Sequence, residues 1–116
     1  MSGFWLSDEQ QAIVESVSRL CANFDAEYWR RTDETGEFPE AFVAAMAGGG
    51  WLGAAMPTSL GGAGLGLTEA ALVMQAVAQS GAGFSGASAV HLNIFGPMPI
   101  AKFGSEALKQ RAIPRL

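Results

Sequence analysis

A chain of 116 residues, 49% hydrophobic and 16% charged, is one folded domain or part of one, too apolar for a disordered chain and too short for multi-domain machinery with its own complete cofactor fold. Its net charge of −4 denies it the basic face of a nucleic-acid binder. A lone Cys21 excludes an internal disulfide framework and any multi-Cys zinc site, and a lone His91 excludes zinc sites built on paired histidines, so no metal site is expected.

The first helix is predicted over roughly residues 8–25. Ser7-Asp-Glu-Gln10 is a capping-box start, and Ile13, Val14, Val17, Leu20, Cys21 and Phe24 recur at three- and four-residue steps as one apolar stripe. Residues 25–38 are polar, carry a Thr-Gly turn signal, and read as a loop. Pro39 suits the first turn of a second helix with Phe42, Val43 and Met46 buried, stopped by Gly48-Gly-Gly50. After Trp51 and Leu52 comes a glycine-rich loop. Thr68 is placed to cap a third helix with Leu72, Val73, Ala76 and Val77 at helical spacing, ended by Gly81 and Gly83. A fourth helix is expected from about Ser85 to Phe103, bent by Pro97 and Pro99. Ser105 caps a fifth, which Pro114 stops. No strand is predicted: the fold class is all-α, a bundle of about five helices.

The distribution of charge says more than its total. From Ala41 to Ala101 the only formal charge is Glu69. A free-standing small domain carries charge on all its outer faces, so a middle this bare implies cover by a membrane, by more of the same polypeptide, or by partner subunits. The best window for a membrane span, residues 70–89, is interrupted by Gln75, Gln79 and a run of Gly and Ser, which favours a docking domain. The opening Met-Ser-Gly-Phe-Trp-Leu lacks the basic-then-apolar pattern of a secretory signal, which points to a cytoplasmic enzyme or enzyme fragment.

Candidate chemistry is sparse. Gly61-Gly-Ala-Gly-Leu-Gly66 invites a phosphate-binding reading, but no Lys-Ser/Thr pair follows it and no strand precedes it, so a structural loop is the expectation. Ala87, His91 and Phe95 are four apart and share a helical face; His91 there is either a hydrogen-bonded core residue or part of a pocket lining. Cys21 reads as buried and inert, Asp33, Glu34, Glu37 and Glu40 as a solvated acidic face, and Trp5, Trp29 and Trp51 as core or interface anchors. Lys102, Lys109, Arg111 and Arg115 form a small basic end. No catalytic and no cofactor-binding residue emerges on this chain.

The order of motifs resembles the N-terminal helical domain of the acyl-CoA dehydrogenase family of flavoenzymes, nearly end to end. The motifs are Leu6-Ser-Asp-Glu-Gln10, Gly36-Glu-Phe-Pro39, Gly50-Trp-Leu-Gly53, Pro57-Thr-Ser-Leu-Gly-Gly-Ala-Gly-Leu65, Val90-His91 with Met98-Pro99-Ile100, and Phe103-Gly-Ser-Glu-Ala-Leu-Lys-Gln110 through Ile113-Pro-Arg-Leu116. Each is weak alone; six in order are specific. Two departures stand out: Met74-Gln-Ala-Val-Ala-Gln79 where members often carry a pair of acids, and Thr58-Ser59 in place of an acid after proline.

The resemblance implies that residues 1–116 are the N-terminal domain of a longer flavoenzyme whose middle β-domain and C-terminal helical domain are absent here. It implies FAD as cofactor of the complete enzyme, not held by this chain alone, an acyl-CoA substrate, an electron-transfer flavoprotein or other acceptor, and a homotetramer. The implied reaction is α,β-dehydrogenation of a fatty acyl-CoA, a carboxylate removing the α-proton as hydride leaves the β-carbon for flavin N5. The catalytic glutamate and most flavin contacts lie in later domains, so the piece alone is expected to be inactive. Aligned on Gly96-x-Met98-Pro99, the resemblance places Ala87, His91 and Phe95 on the acyl-pocket wall. An acyl-CoA oxidase, a flavin-dependent monooxygenase of the same fold, and a non-catalytic helical interaction module are the alternatives.

Overall fold

Helix formation begins at the expected capping box. Ser7 Oγ accepts from the Gln10 N–H at 3.1 Å and Gln10 Oε1 accepts from the Ser7 N–H at 3.0 Å, opening α1 (Asp8–Cys21), with Asp8 and Glu9 complementing the helix dipole. The computed structural model describes residues 5–113; the first four residues, Pro114 as the expected stop of the last helix, and Arg115 of the basic end lie outside the described residues. One face of α1 buries Ile13, Val17 and Cys21, with Leu20 and Phe24 packed beside them.

The expected loop at 25–38 is instead largely helical. Asp25 accepts from the Tyr28 N–H at 2.9 Å and caps α2 (Ala26–Thr35), which Gly36 ends in the left-handed conformation, φ 71°. Arg30 pairs with Glu27 and with Glu34 along the exposed side. Trp29 is buried with its ring edge-on to Phe42 at 4.9 Å, and the Tyr28 hydroxyl accepts from the Phe42 N–H. Tertiary packing on a single aromatic turn therefore outweighs the polar composition of this segment.

Helix α3 (Glu40–Gly48) follows Pro39 and ends at the glycine run, burying Phe42 and Met46. A single 3-10 turn, Thr58–Leu60, sits in the long connection. Helix α4 (Leu67–Val77) is preceded by Gly66 rather than capped by Thr68: Glu69 Oε1 accepts from the Gly66 N–H at 2.8 Å. One wide π-helical turn, Ala78–Ala82, then breaks the axis at Gly81, whose φ of 98° is open to glycine and costly for any side chain. The expected fourth helix divides into α5 (Gly83–Ile94) and α6 (Met98–Phe103), separated by residues 95–97; Pro97 has no N–H with which to continue the helix. Ser105 Oγ accepts from the Leu108 N–H and starts α7 (Glu106–Ala112). The all-α reading is borne out: five helices of nine to fourteen residues and two shorter ones, with no strand among the described residues.

Helix α1 packs chiefly on α4, and α4 on α5, around a core of Val17, Phe42, Met46, Val73, Val77, Val90 and Ile94. A second small cluster, Met56, Leu60 and Ile113 with Met98 and Ile100, ties the long connection to the C-terminal helices. The molecule is a slab of 42 × 39 × 19 Å, about two helix diameters thick, so both broad faces are open. No helix among the described residues is long and apolar enough to cross a membrane.

Candidate functional site

The site is built on α5, and Gly86 sets where α5 lies. A Cβ at Gly86 would overlap that of Ala82 and stand 3.2 Å from Val77 Cγ1 and 3.4 Å from the Trp29 ring. The bare α-carbon lets α5 settle against α4 and α2. Its buried side is Gly86, Ala89, Val90 and Ile94; Phe84, Ser88, His91 and Leu92 face outward. Beside that outward side lies a mostly apolar cavity of about 300 Å³ lined by Met74, Phe84, Ala87, Ser88 and His91.

Two of the three wall residues expected from the sequence, Ala87 and His91, thus line one cavity. Phe95 does not line it: it is half-buried against the main core, its ring 5.4 Å from that of His91. His91 is exposed among the described residues, where no hydrogen bond of its side chain to the core is seen. Met74, Phe84 and Ser88 complete the lining, and the sequence reading places none of them there. Met74 follows the apolar stripe of α4, but its meeting with α5 depends on the wide turn at Ala78–Ala82, which carries no periodic signal. Phe84, 89% exposed, is the clearest clue in retrospect: an aromatic placed just past Gly81 and Gly83, where the chain has broken from α4.

In the glycine-rich loop each N–H from Gly61 to Gly66 already has an acceptor within the protein. Gly61 donates to Thr58 O, Gly62 to Pro57 O, Ala63 to Gly53 O, Gly64 to Met56 O, Leu65 to Ala54 O and Gly66 to Glu69 Oε1. Six consecutive donors are consumed by the protein, so none is left for a pyrophosphate. A Cβ at Gly62 would overlap the Met56 carbonyl, which explains the glycine by close backbone approach. The loop does not fit a flavin's phosphates, and no described residue is assigned to that cofactor.

Two further polar groups are held by the fold. Glu69, the one charge between residues 41 and 101, accepts from Gln10 Nε2 at 2.7 Å as well as from Gly66, and these two bonds hold its carboxyl below the ordinary range. Gln10 closes the α1 capping box while Glu69 stands in the first turn of α4, so one linkage joins two helix starts. Burial pushes the Cys21 thiol up, opposed by a hydrogen bond with Ser80; a thiol held neutral is a poor nucleophile. Among the described residues no group of His, Cys, Asp and Glu could hold a metal ion. Trp29 and Trp51 pack as anchors, Trp29 buried and Trp51 half-buried, while Trp5 is 65% exposed.

The acyl-CoA dehydrogenase N-terminal domain family matches residues 7–116, and the chain belongs to that family. Acyl-CoA dehydrogenase FadE12 of Mycobacterium tuberculosis (strain ATCC 25618 / H37Rv) is 32% identical over 117 residues, covering 97% of this chain and 29% of its own length. Benzylmalonyl-CoA dehydrogenase of Aromatoleum aromaticum is 36% identical over 87 residues, covering 75% of this chain and 23% of its own. A 3-sulfinopropanoyl-CoA desulfinase of Advenella mimigardefordensis is 31% identical over 101 residues, covering 87% and 25%. The chain thus spans less than a third of these relatives. No solved structure matches.

Proposed function

We propose that this chain is the N-terminal domain of an FAD-dependent acyl-CoA dehydrogenase, and that α5 supplies a wall of the acyl pocket through Ala87 and His91, with Met74 and Phe84 beside them and Phe95, just past the end of α5, backing His91. The observation that carries this reading is the apolar cavity between Met74 and the Ala87–His91 face of α5 in a chain of this family. In this reading the chain's residues orient the acyl chain and exclude water. FAD and the catalytic carboxylate belong to the rest of the enzyme, and the 116 residues alone are inactive. The complete enzyme is a cytoplasmic homotetramer that passes electrons to an electron-transfer flavoprotein or another acceptor.

A second reading has a specific support. The desulfinase relative carries a domain like this one and is named for a different reaction on a CoA thioester. The wall would then serve another acyl chemistry, as it would in an oxidase or a monooxygenase.

The test is kcat/KM over an acyl-CoA chain-length series, in the complete enzyme, for wild type, Phe95→Ala and Ala87→Phe. Losing the Phe95 ring behind His91 should let the imidazole draw back and shift preference toward longer chains, and filling the cavity at Ala87 should shift it toward shorter ones. One methylene in an apolar pocket is worth about 1–3 kcal/mol, so the shift is on the order of 10- to 100-fold per well-fitted step. If both variants lose stability while the ranking of chains stays put, this face packs against another element and never meets substrate.

A further inference from the structure

The cavity beside α5 holds two polar side chains that the acyl-wall reading leaves without a task. Ser88 and His91 stand about one turn apart in its lining, while Met74, Phe84 and Ala87 make the rest of it apolar. Other polar side chains of the same stretch bond back to the backbone: Ser80 Oγ donates to Val77 O at 2.6 Å, and Asn93 Nδ2 to Ala89 O at 2.9 Å. Ser88 and His91 are exposed, and neither side chain enters a hydrogen bond or ion pair among the described residues. The Phe95 ring that stands behind His91 carries no acceptor for it.

Both groups can donate: the serine through its hydroxyl, the imidazole through at least one N–H in either protonation state. No Asp or Glu lines the cavity. Glu69, the one charge between residues 41 and 101, is held by Gln10 and by the Gly66 N–H. Two donors with no acidic neighbour, set in an apolar wall, fit a group that only accepts and has an oxygen for each of them, which is a carboxylate. A chain ending in a methyl would cover both polar groups and satisfy neither. Asp33 and Glu37 line the groove on the other side of Ser88 and not this cavity, so an anion is favoured beside His91 and opposed beyond Ser88.

We propose that the complete enzyme acts on an acyl-CoA whose acyl chain ends in a second, free carboxylate, and that His91 and Ser88 bind that carboxylate. Met74, Phe84 and Ala87 then cover the methylenes between it and the thioester. This inference rests on the acyl-wall reading and names the substrate class of that wall. His91 and Ser88 select the far end of the chain and do not touch the reacting atoms, so the selection holds whichever reaction the rest of the enzyme performs.

The test is isothermal titration calorimetry of the complete enzyme with S-alkyl-CoA thioethers, which lack the thioester carbonyl and so bind without turnover. Each thioether ending in a methyl is paired with one of equal length ending in a carboxylate, over a chain-length series. In wild type the affinity ratio, carboxylate over methyl, should peak at one length, because His91 and Ser88 stand at a fixed depth and like charge lies beyond them. His91→Leu should lower that peak by about tenfold or more and Ser88→Ala by a smaller factor, with methyl-ended chains bound as well as before or better. His91→Lys restores a donor and should keep the peak. Ala87→Phe reports on the wall itself, by shifting the preferred length of the methyl-ended series. A ratio flat with length, a peak unmoved by His91→Leu, or a loss shared equally by both series overturns the proposal, and a persisting Ala87→Phe shift would leave the wall standing. A methyl-ended series blind to Ala87→Phe, with neither series altered by His91→Leu, overturns the wall and the proposal with it.

Discussion

Gly86→Ala is the most informative single change in the scaffold, because two ordinary rules predict opposite signs for it. In an exposed helix interior the change would stabilise by about 0.8–1.0 kcal/mol, through helix propensity. Here the new methyl meets three neighbours. The Trp29 ring at 3.4 Å is ordinary contact, Val77 Cγ1 at 3.2 Å has to give slightly, and the Ala82 Cβ overlaps outright. Ala82 cannot retreat freely, since it belongs to the wide turn fixed by Gly81 at φ 98° and Gly83 at φ 56°. Overpacking of this kind costs about 1–3 kcal/mol, and the severity of the Ala82 overlap argues for the upper half of that range. Net destabilisation of about 1–2 kcal/mol follows once the propensity gain is subtracted. Urea unfolding of dilute protein, followed by helical circular dichroism, measures it directly. The Ala82→Gly partner completes a double-mutant cycle, and relief of the overlap should appear as coupling of about 1 kcal/mol or more. A Gly86→Ala variant more stable than wild type, or strict additivity with Ala82→Gly, would refute the account of how α5 is seated.

Three further outcomes are expected. Glu69 has a folded pKa below its unfolded value, so it contributes stability that is present above the unfolded pKa and lost as pH falls through the folded one; Glu69→Ala should flatten the acid limb of the urea midpoint against pH, and an unaltered limb would show that the Gln10 and Gly66 bonds are idle. Phe42→Ala removes a fully buried ring that meets Phe24 and Trp29 edge-on and should cost about 3–5 kcal/mol in the same assay, with a loss under about 1 kcal/mol contradicting the packing described. Titrating the isolated chain with FAD and following flavin fluorescence should give no saturable micromolar binding, because the six loop N–H groups are already engaged; saturation would require another flavin contact on this chain.

What could be read from the sequence follows a physical line. The Ser7–Gln10 box and the stripe Ile13, Val17, Cys21 are local patterns, and α1 starts where they place it but ends at Cys21, one turn short of the expected residue 25. Helix α2 left a weaker trace: an Asp25 cap, Glu27–Arg30–Glu34 spacing and a closing Gly36, all visible, but only one buried residue, Trp29, so no stripe repeated. Its stability comes from Phe42 and Tyr28, a contact periodicity cannot see. The candidate site divides the same way. Ala87 and His91 share a face by spacing alone, whereas the opposition of Met74 depends on the turn at Gly81, and the withdrawal of Phe95 toward the core on where α5 ends. The family itself was legible because its motifs are loop and cap chemistry in a fixed order, which survives substitution of the helices between them.

The pairing of α1 with α4 has a consequence for how the polypeptide comes off the ribosome. Helix α1 finishes at Cys21, yet the surface that buries its stripe spans Leu67–Val77, and the linkage from Gln10 to Glu69 closes a gap of 59 residues. At a synthesis rate of roughly 5–20 residues per second, the first helix waits several seconds with its apolar side uncovered. During that interval it is a short amphipathic segment of the kind chaperones hold. Its own capping box is the one stabilising device it already possesses, since that needs nothing beyond residues 7–10.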